Sequence, residues 1–418
     1  MIRVYPRKKL DYSFRNILSA LTMTISPRLD KNTIINEIES LWPRENVIVA
    51  LSVRTIFDSI LTGKNFEKGS EVIMTGITIP DMVKIVESHS LKIIPIDIDM
   101  ERLQIKEEDV KKAISNKTVM IVVAHLFGSR MEMDPVYEAL EKRSDVLIVE
   151  DCAQAYDGKN GYTKQSKTDI SLFSFGSIKS ITALGGAIGF AKDKELKKEI
   201  NNLIFKHPKI KNAEFRKKVL KYIALKILSN SFIYGLFILI CRVLKIDYDK
   251  AIISTVRMVK GDSLLEAIRK IPAASQLRYL LYRIVSMQEN HITERKEAGD
   301  YVKDLLKNCD IHGSKNHTHS YWLFPIRTSK REKLVTLLRN NGFDATFTST
   351  QLIPINVSGK DDAVLVECEK YMSETIYLPV YETMSKNSLD KHCILSSYEC
   401  GYNNHSVAAI LLNIEFPS

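Results

Sequence analysis

Between about 45 and 200 the chain alternates short apolar runs with segments whose apolar residues recur every three or four positions. NVIVAL (46–51), EVIMTG (71–76), KIIPIDID (92–99), TVMIVVAH (118–125) and VLIVED (146–151) read as strands buried on both faces. TIFDSILTG (55–63), PDMVKIVESH (80–89), KEEDVKKAI (106–114) and PVYEALEKR (135–143) read as the helices between them. Gly63 is expected to stop the first of these helices, and Pro80 to open the second at its first turn. Apolar strands alternating with helices predict an α/β fold with a mainly parallel sheet covered on both faces. Ligands of such sheets bind beyond the carboxyl ends of the strands. Asp151 and His125 stand at two such ends, and Arg54 and Thr55 follow a third.

Two later stretches break this rhythm. From 205 to 285 the pattern turns helical, with ILSNSFIYGLFILIC (227–241) uncharged between Lys226 and Arg242. Fifteen such residues are short of the roughly 20 a spanning helix needs. The stretch reads as a helix buried in the protein or a dimer contact, as an in-plane or hairpin contact with a membrane, or last as a full span. Beyond 290, ERKEAGDYVKDLLK and KREKLVTLLRNNGF read as helices, and YWLFPIRT and ETIYLPVY as strands. The expected division is an arm at 1–44, a large domain at 45–204, a helical insertion at 205–285 and a small α+β domain at 286–418.

Composition narrows the partners. The chain has 418 residues, 45% of them hydrophobic, and a net charge of +10. Much of the excess is local: KHPKIKNAEFRKKVLKYIALK (206–226) has one acid among many bases. That clustering fits an anionic surface or ligand, and 206–245 as a whole is the candidate contact with an anionic membrane. No finger, recognition helix or RNA-binding signature accompanies it, so nucleic acid is set aside as a partner. Six scattered cysteines and a basic start without an apolar core predict reduced thiols, no signal peptide and a cytoplasmic protein. The basic and apolar insertion adds peripheral contact with the inner face of the membrane. His317 and His319 have no third ligand beside them, so no metal is expected.

The chemistry concentrates in VEDCAQAYDG (149–158) and SLFSFGSIKSITALGGAIGF (171–190). A carboxylate ending a buried strand is costly unless a cation or donors meet it, and a pyridinium nitrogen is such a cation. Lys179 lies among Phe173, Phe175, Ile178 and Ile181. Apolar surroundings lower an ammonium pKa and leave a neutral amine able to condense with an aldehyde. Gln154 can donate to a phenolic ring oxygen, Ser174 can bind a phosphate, and the helix start at Arg54–Thr55 can hold an anion. Taken singly, Asp151 reads equally as a helix cap, Ser174 as a strand hydroxyl and Lys179 as a loop lysine. Jointly, those readings leave their convergence on one sheet edge unexplained.

With GSEVIMTGITIPDMV, VAHLFGSRMEMD and IYLPVY, these segments resemble the DegT/StrS-type aminotransferases, pyridoxal-phosphate (PLP) enzymes of fold type I acting mostly on nucleotide-linked keto-sugars. The resemblance implies that Lys179 forms the Schiff base and moves protons, Asp151 pairs with the pyridine nitrogen, Gln154 bonds the ring hydroxyl and Ser174 holds the phosphate. Ser52-Val53-Arg54-Thr55 matches the phosphate-holding turn, with Arg54 at a position usually threonine. Ile77 or Ile79 stands where an aromatic covers the ring, and Ala183-Leu184-Gly185-Gly186 replaces Gly-Glu-Gly-Gly. Arg269 is a poor match to the Asn-Tyr-Arg element that reaches a partner subunit. His125 is placed in the site in a packing or orienting role.

The function expected is transamination from an amino acid, glutamate first, to a keto acceptor such as a nucleotide- or lipid-linked keto-sugar; the resemblance alone implies a homodimer. The alternatives are another PLP reaction (lyase, decarboxylase or dehydratase) and a membrane-surface binding protein on a PLP-enzyme scaffold.

Overall fold

The computed structural model describes residues 3–25, 30–43, 45–158, 167–251, 264–287, 290–347, 351–356 and 365–399. Cys400 and the ends of the expected arm and small domain lie outside them. Strands β1 (Asn46–Ala50), β2 (Glu71–Thr75), β3 (Ile77–Thr78), β4 (Lys92–Ile96), β5 (Thr118–Ala124), β6 (Leu147–Asp151), β7 (Ile170–Ser174) and β8 (Ala187–Ala191) follow one another through the first half. Seven of them form one sheet in the order β1-β8-β7-β6-β5-β2-β4. Only β8 runs against the rest, pairing antiparallel with both β1 and β7. The carboxyl ends of the other six strands therefore share one edge.

Side chains alternate between the two faces of this sheet, as the period of two requires. Ile48, Leu172 and Ala187 pack with Ile56, Phe57 and Ile200 of the helices Val53–Lys64 and Lys194–Ile204. Val49, Phe173 and Ile188 face the other way, against the helices Phe14–Ile25, Lys31–Glu39 and Ala274–Val285. The apolar strands of the sequence are buried on both sides. The first crossover helix runs through Gly63 and stops at Asn65, which takes the left-handed conformation (φ 44°) and returns its N–H to Leu61. The expected glycine stop is thus made by asparagine two residues later.

A second sheet of β9 (Asp310–Ile311), β10 (Phe324–Arg327) and β12 (Thr375–Leu378), in the order β12-β10-β9, is antiparallel and carries its own core around Phe324, Leu338 and Ile376. The short β11 (Ile353–Pro354), between β10 and β12 in the chain, pairs antiparallel with β3 as a separate two-stranded ladder. The N-terminal arm passes between these parts. Val4 donates to Ser231, Tyr5 donates to Gly342, and Asp344 donates back to Tyr5. Asp344 is fully buried; its carboxylate accepts from Arg7 (2.7 and 2.9 Å) and from the Tyr234 hydroxyl (2.5 Å).

The helices Asn212–Leu228 and Ser231–Val243 meet at a bend of 91°, and no single helix among the described residues is long and apolar enough to cross a membrane. The first packs on Phe14–Ile25. The second is held by Tyr234, Gly235, Ile238 and Cys241, while Phe232, Ile233, Leu236, Leu239, Ile240 and Val243 face outward. The stretch 227–241 is therefore not a helix buried within this chain: four of its residues are buried, and most of its large apolar side chains are exposed.

Candidate active site

Strand register brings the principal residues to one edge. Ala124 pairs with Asp151, and Asp151 pairs with Leu172, two residues before Ser174. Lys179 sits in the loop that follows β7. That loop folds back on itself because the Phe175 carbonyl accepts from both Ala183 and Gly185. Gly185 takes φ 136°, and a Cβ there would meet Gln276 at 2.5 Å, so only glycine fits. The glycine pair noted in the sequence is what closes the lysine loop.

Burial pushes the Lys179 amine down to about 8; the Asp151 carboxylate pulls it up, and Arg54 lowers it further. Burial likewise raises Asp151, against the Ala153 N–H and the charge of Lys179. Asp151 Oδ1 accepts from Ala153 at 3.0 Å, and among the described residues no donor meets Oδ2. Gln154 Oε1 accepts from Phe127 at 2.9 Å, which fixes the amide and leaves its NH2 without a bond there. Ser174 Oγ accepts a long bond, 3.3 Å, from Gly176.

The other sequence candidates are placed differently. Arg54 pairs with Asp81 at the start of the helix Pro80–Ser88. Thr55 is fully buried: its hydroxyl donates to Ile268 at 2.7 Å, and its N–H is capped by Ser52. Both of its donors are spent inside the protein, against the expectation of a free anion-holding group. Ile77 is fully buried, whereas Ile79 caps the helix Pro80–Ser88 and is half-buried. Arg269 grips Asp58 of its own chain with two bonds, at 2.8 and 2.9 Å.

His125 is fully buried and engaged at both ring nitrogens. The Met131 N–H donates to Nδ1 at 2.9 Å, so the ring proton lies on Nε2, 2.9 Å from Glu150. Its backbone N–H donates to Asp151. The ring thus braces the strand end that carries Asp151. His125, Glu150 and Cys152 lie close enough to hold a metal ion. The His–Glu and His–Met131 bonds account for that geometry without one.

Sequence reading missed Trp322. Its indole N–H donates to Ile178 at 2.8 Å, and Lys179 Nζ lies 4.6 Å from the ring centroid. Lys8, from the arm, places its Nζ 3.8 Å from the same ring. A cavity lined by Lys8, Lys179, Ser180, Arg295, Trp322 and Glu382 opens here, between arm, lysine loop and second sheet. Nothing in local sequence pattern ties position 8 or 322 to position 179; tertiary contact alone does so. A buried acid with a bare oxygen, a fixed amide and a neutralisable lysine fit a pyridoxal ring, its hydroxyl and its aldehyde. The donor set is therefore compatible with PLP.

Comparison with known proteins agrees with this arrangement. The model of the DegT/DnrJ/EryC1/StrS aminotransferase family matches residues 55–228 and 279–393. The GDP-perosamine synthase of Escherichia coli O157:H7 is 33% identical over 137 residues, 32% of this chain and 37% of that protein. The chain spans little more than a third of that relative's length. Among solved structures, the E. coli GDP-4-keto-6-deoxy-D-mannose-3-dehydratase with bound hydrated PLP superposes with a TM-score of 0.67 at 14% identity, covering 94% of this chain and 100% of that one. A Helicobacter pylori aminotransferase of pseudoaminic acid biosynthesis gives 0.67 at 16% identity, over 95% and 99%. At these identities the superpositions establish the fold.

Proposed function

The chain belongs to the DegT/DnrJ/EryC1/StrS aminotransferase family, and from that premise we propose that it is a PLP-dependent aminotransferase. It takes nitrogen from an amino acid, glutamate first, and delivers it to the keto group of a sugar carried on a nucleotide or a lipid. The observation that carries this reading is the meeting, on one sheet edge, of Lys179 with the half-buried carboxylate of Asp151, close enough that each acts on the charge of the other.

When bound, PLP withdraws electrons from the carbon next to the transferred nitrogen. Asp151 would keep the ring nitrogen protonated, Gln154 would donate to the ring oxygen, and Ser174 would meet the phosphate with Arg54 supplying charge nearby. Lys179, largely uncharged above pH 8, would carry the proton from one carbon to the other. Trp322 covers the lysine and keeps water from it. His125 positions Asp151 through the backbone.

The decisive experiment incubates purified protein with PLP, glutamate and a panel of keto-sugars. A visible band and release of 2-oxoglutarate with an aminated sugar are expected. Protein that stays colourless with added PLP defeats the reading. A visible band with product formed but no 2-oxoglutarate moves the reaction to a lyase, decarboxylase or dehydratase.

Two further parts of the reading concern assembly. The enzyme is a cytoplasmic homodimer, a proposal supported by the exposed stripe Phe14, Leu18 and Ile25 on the first helix; light scattering tests it. It also rests on the inner face of an anionic membrane through 206–245, where the acceptor would be presented. The exposed apolar face of Ser231–Val243 supports this contact.

A further inference from the structure

Two polar groups in the cavity beside Lys179 have no hydrogen-bond partner among the described residues. Lys8 Nζ and Ser180 Oγ are both shut off from solvent and make no hydrogen bond among the described residues. Both line the same cavity. Buried polar atoms are nearly always bonded, so two orphans facing one cavity need a common explanation.

The charges around them sharpen it. Glu382 is already met by Lys9 at 3.0 Å and His291 at 3.2 Å, with Arg295 at 3.8 Å. Asp11 is met by Arg283 at 2.9 Å and His291 at 3.3 Å. Arg7 is spent on Asp344 and Asp249. Each acid of the cavity thus has its own cations, and Lys8 is left sharing the Trp322 ring with a second lysine, Lys179. Burial, then the charges of Lys179 and Arg295, push the Lys8 ammonium well down. The indole face offsets part of this cost but cannot satisfy all three N–H donors of the ammonium. A lysine held this way, beside a spare hydroxyl donor, is arranged for an anionic oxygen.

We propose that Lys8 and Ser180 form an oxyanion subsite of the cavity, with the arm lysine supplying charge and the serine hydroxyl the second donor. The ligand group is a carboxylate or phosphate oxygen of a substrate. It rests on the aminotransferase reading for the sources of that group: the carboxylate of the amino donor or the phosphate of the acceptor. Because Lys8 comes from the arm, the arm is then part of the binding site and not merely a tether.

Two unreactive probes separate the sources, glutarate for the dicarboxylate donor and inorganic pyrophosphate for the acceptor. Binding to the full-length protein is measured by calorimetry, alongside the change in Trp322 fluorescence and with Trp322→Phe as the control for that signal. At least one probe is expected to bind, with Lys8→Met and Ser180→Ala each weakening it roughly tenfold or more and Lys8→Arg retaining most of the affinity. Thermal melting checks that each variant is folded. Glutarate alone assigns the site to the donor, and pyrophosphate alone assigns it to the acceptor. If neither probe binds, or if folded Lys8→Met and Ser180→Ala bind as the parent does, the subsite is refuted. Neither probe needs transamination, so a protein that fails to transaminate yet binds them through Lys8 and Ser180 refutes only the enzymatic reading.

Discussion

Trp322 donates its indole N–H to the carbonyl of Ile178, at 2.8 Å, and so lies beneath the amine of the very next residue, Lys179. One bond therefore fixes the second sheet to the lysine loop. The bond and the ring face are separable. Trp322→Phe keeps a face and loses the donor, an expected cost of about 1 kcal/mol. Trp322→Ala empties a buried site as well and is expected to cost about 3–5 kcal/mol. Because burial is what lowers the amine, opening this site to water should raise the Lys179 midpoint in the alanine variant. Denaturant unfolding reads the first two effects, and pH-dependent trapping of the lysine reads the third.

The position of that midpoint is itself a prediction. Lys179 is lowered from 10.5 to about 8, so the neutral amine grows as pH rises through 8 and is nearly complete a unit or two above it. The rate at which cofactor-free protein is modified by PLP and borohydride should follow this curve. A midpoint near 10.5 would mean that the amine is solvated. Between 8 and 10.5 the unfolded chain binds more protons at this site than the folded one, so its contribution to stability rises with pH there. Lys179→Ala should abolish the trapping and lower any transamination by at least about 10²-fold.

Asp344 holds three parts of the protein at one carboxylate: Arg7 of the arm, Tyr234 of the bent helix pair and the start of the segment after Gly342. Asp344→Ala leaves the Arg7 guanidinium in a buried place with one partner fewer. Such losses cost about 3–5 kcal/mol. The arm should loosen with it, so proteolysis near residue 10 should quicken in this variant. A variant that melts and resists protease like the parent would show that the arm is held by other contacts.

Much of this was legible in the sequence, and the boundary is physical. Strands β1, β2, β4, β5 and β6 of the large sheet were readable because burial on both faces leaves unbroken apolar runs, and strand ends pointed to Asp151 and His125. The glycine pair after Lys179 was visible, but its closing of the lysine loop through the bond to Phe175 was not. Thr55 looked like a free donor because local sequence cannot show that Ile268, more than 200 residues away, takes its hydroxyl. Lys8 and Trp322 were invisible for the same reason. Their meeting depends on how an arm with little regular structure threads between two sheets, and no periodicity encodes that path.

The outward face of the helix Ser231–Val243 makes the last prediction. Phe232 (57% exposed), Leu239 (52%) and Val243 (74%) stand at helical spacing on it, opposite the anchored Tyr234, Ile238 and Cys241. From 215 to 246 the chain has no Asp or Glu and seven Lys or Arg, so the segment that carries the apolar face is strongly positive. A surface of that kind gains from both terms at an anionic bilayer, each nearby Lys or Arg adding about 1 kcal/mol. The full-length protein should float with phosphatidylserine-containing vesicles, less with phosphatidylcholine alone, and less again at high salt. Phe232→Glu combined with Leu239→Glu should abolish flotation while leaving melting within about 0.5 kcal/mol, since both side chains are exposed. A protein that floats with neither vesicle refutes the contact. If the double variant instead turns a larger species into a smaller one by light scattering, the face belongs between two copies of the chain.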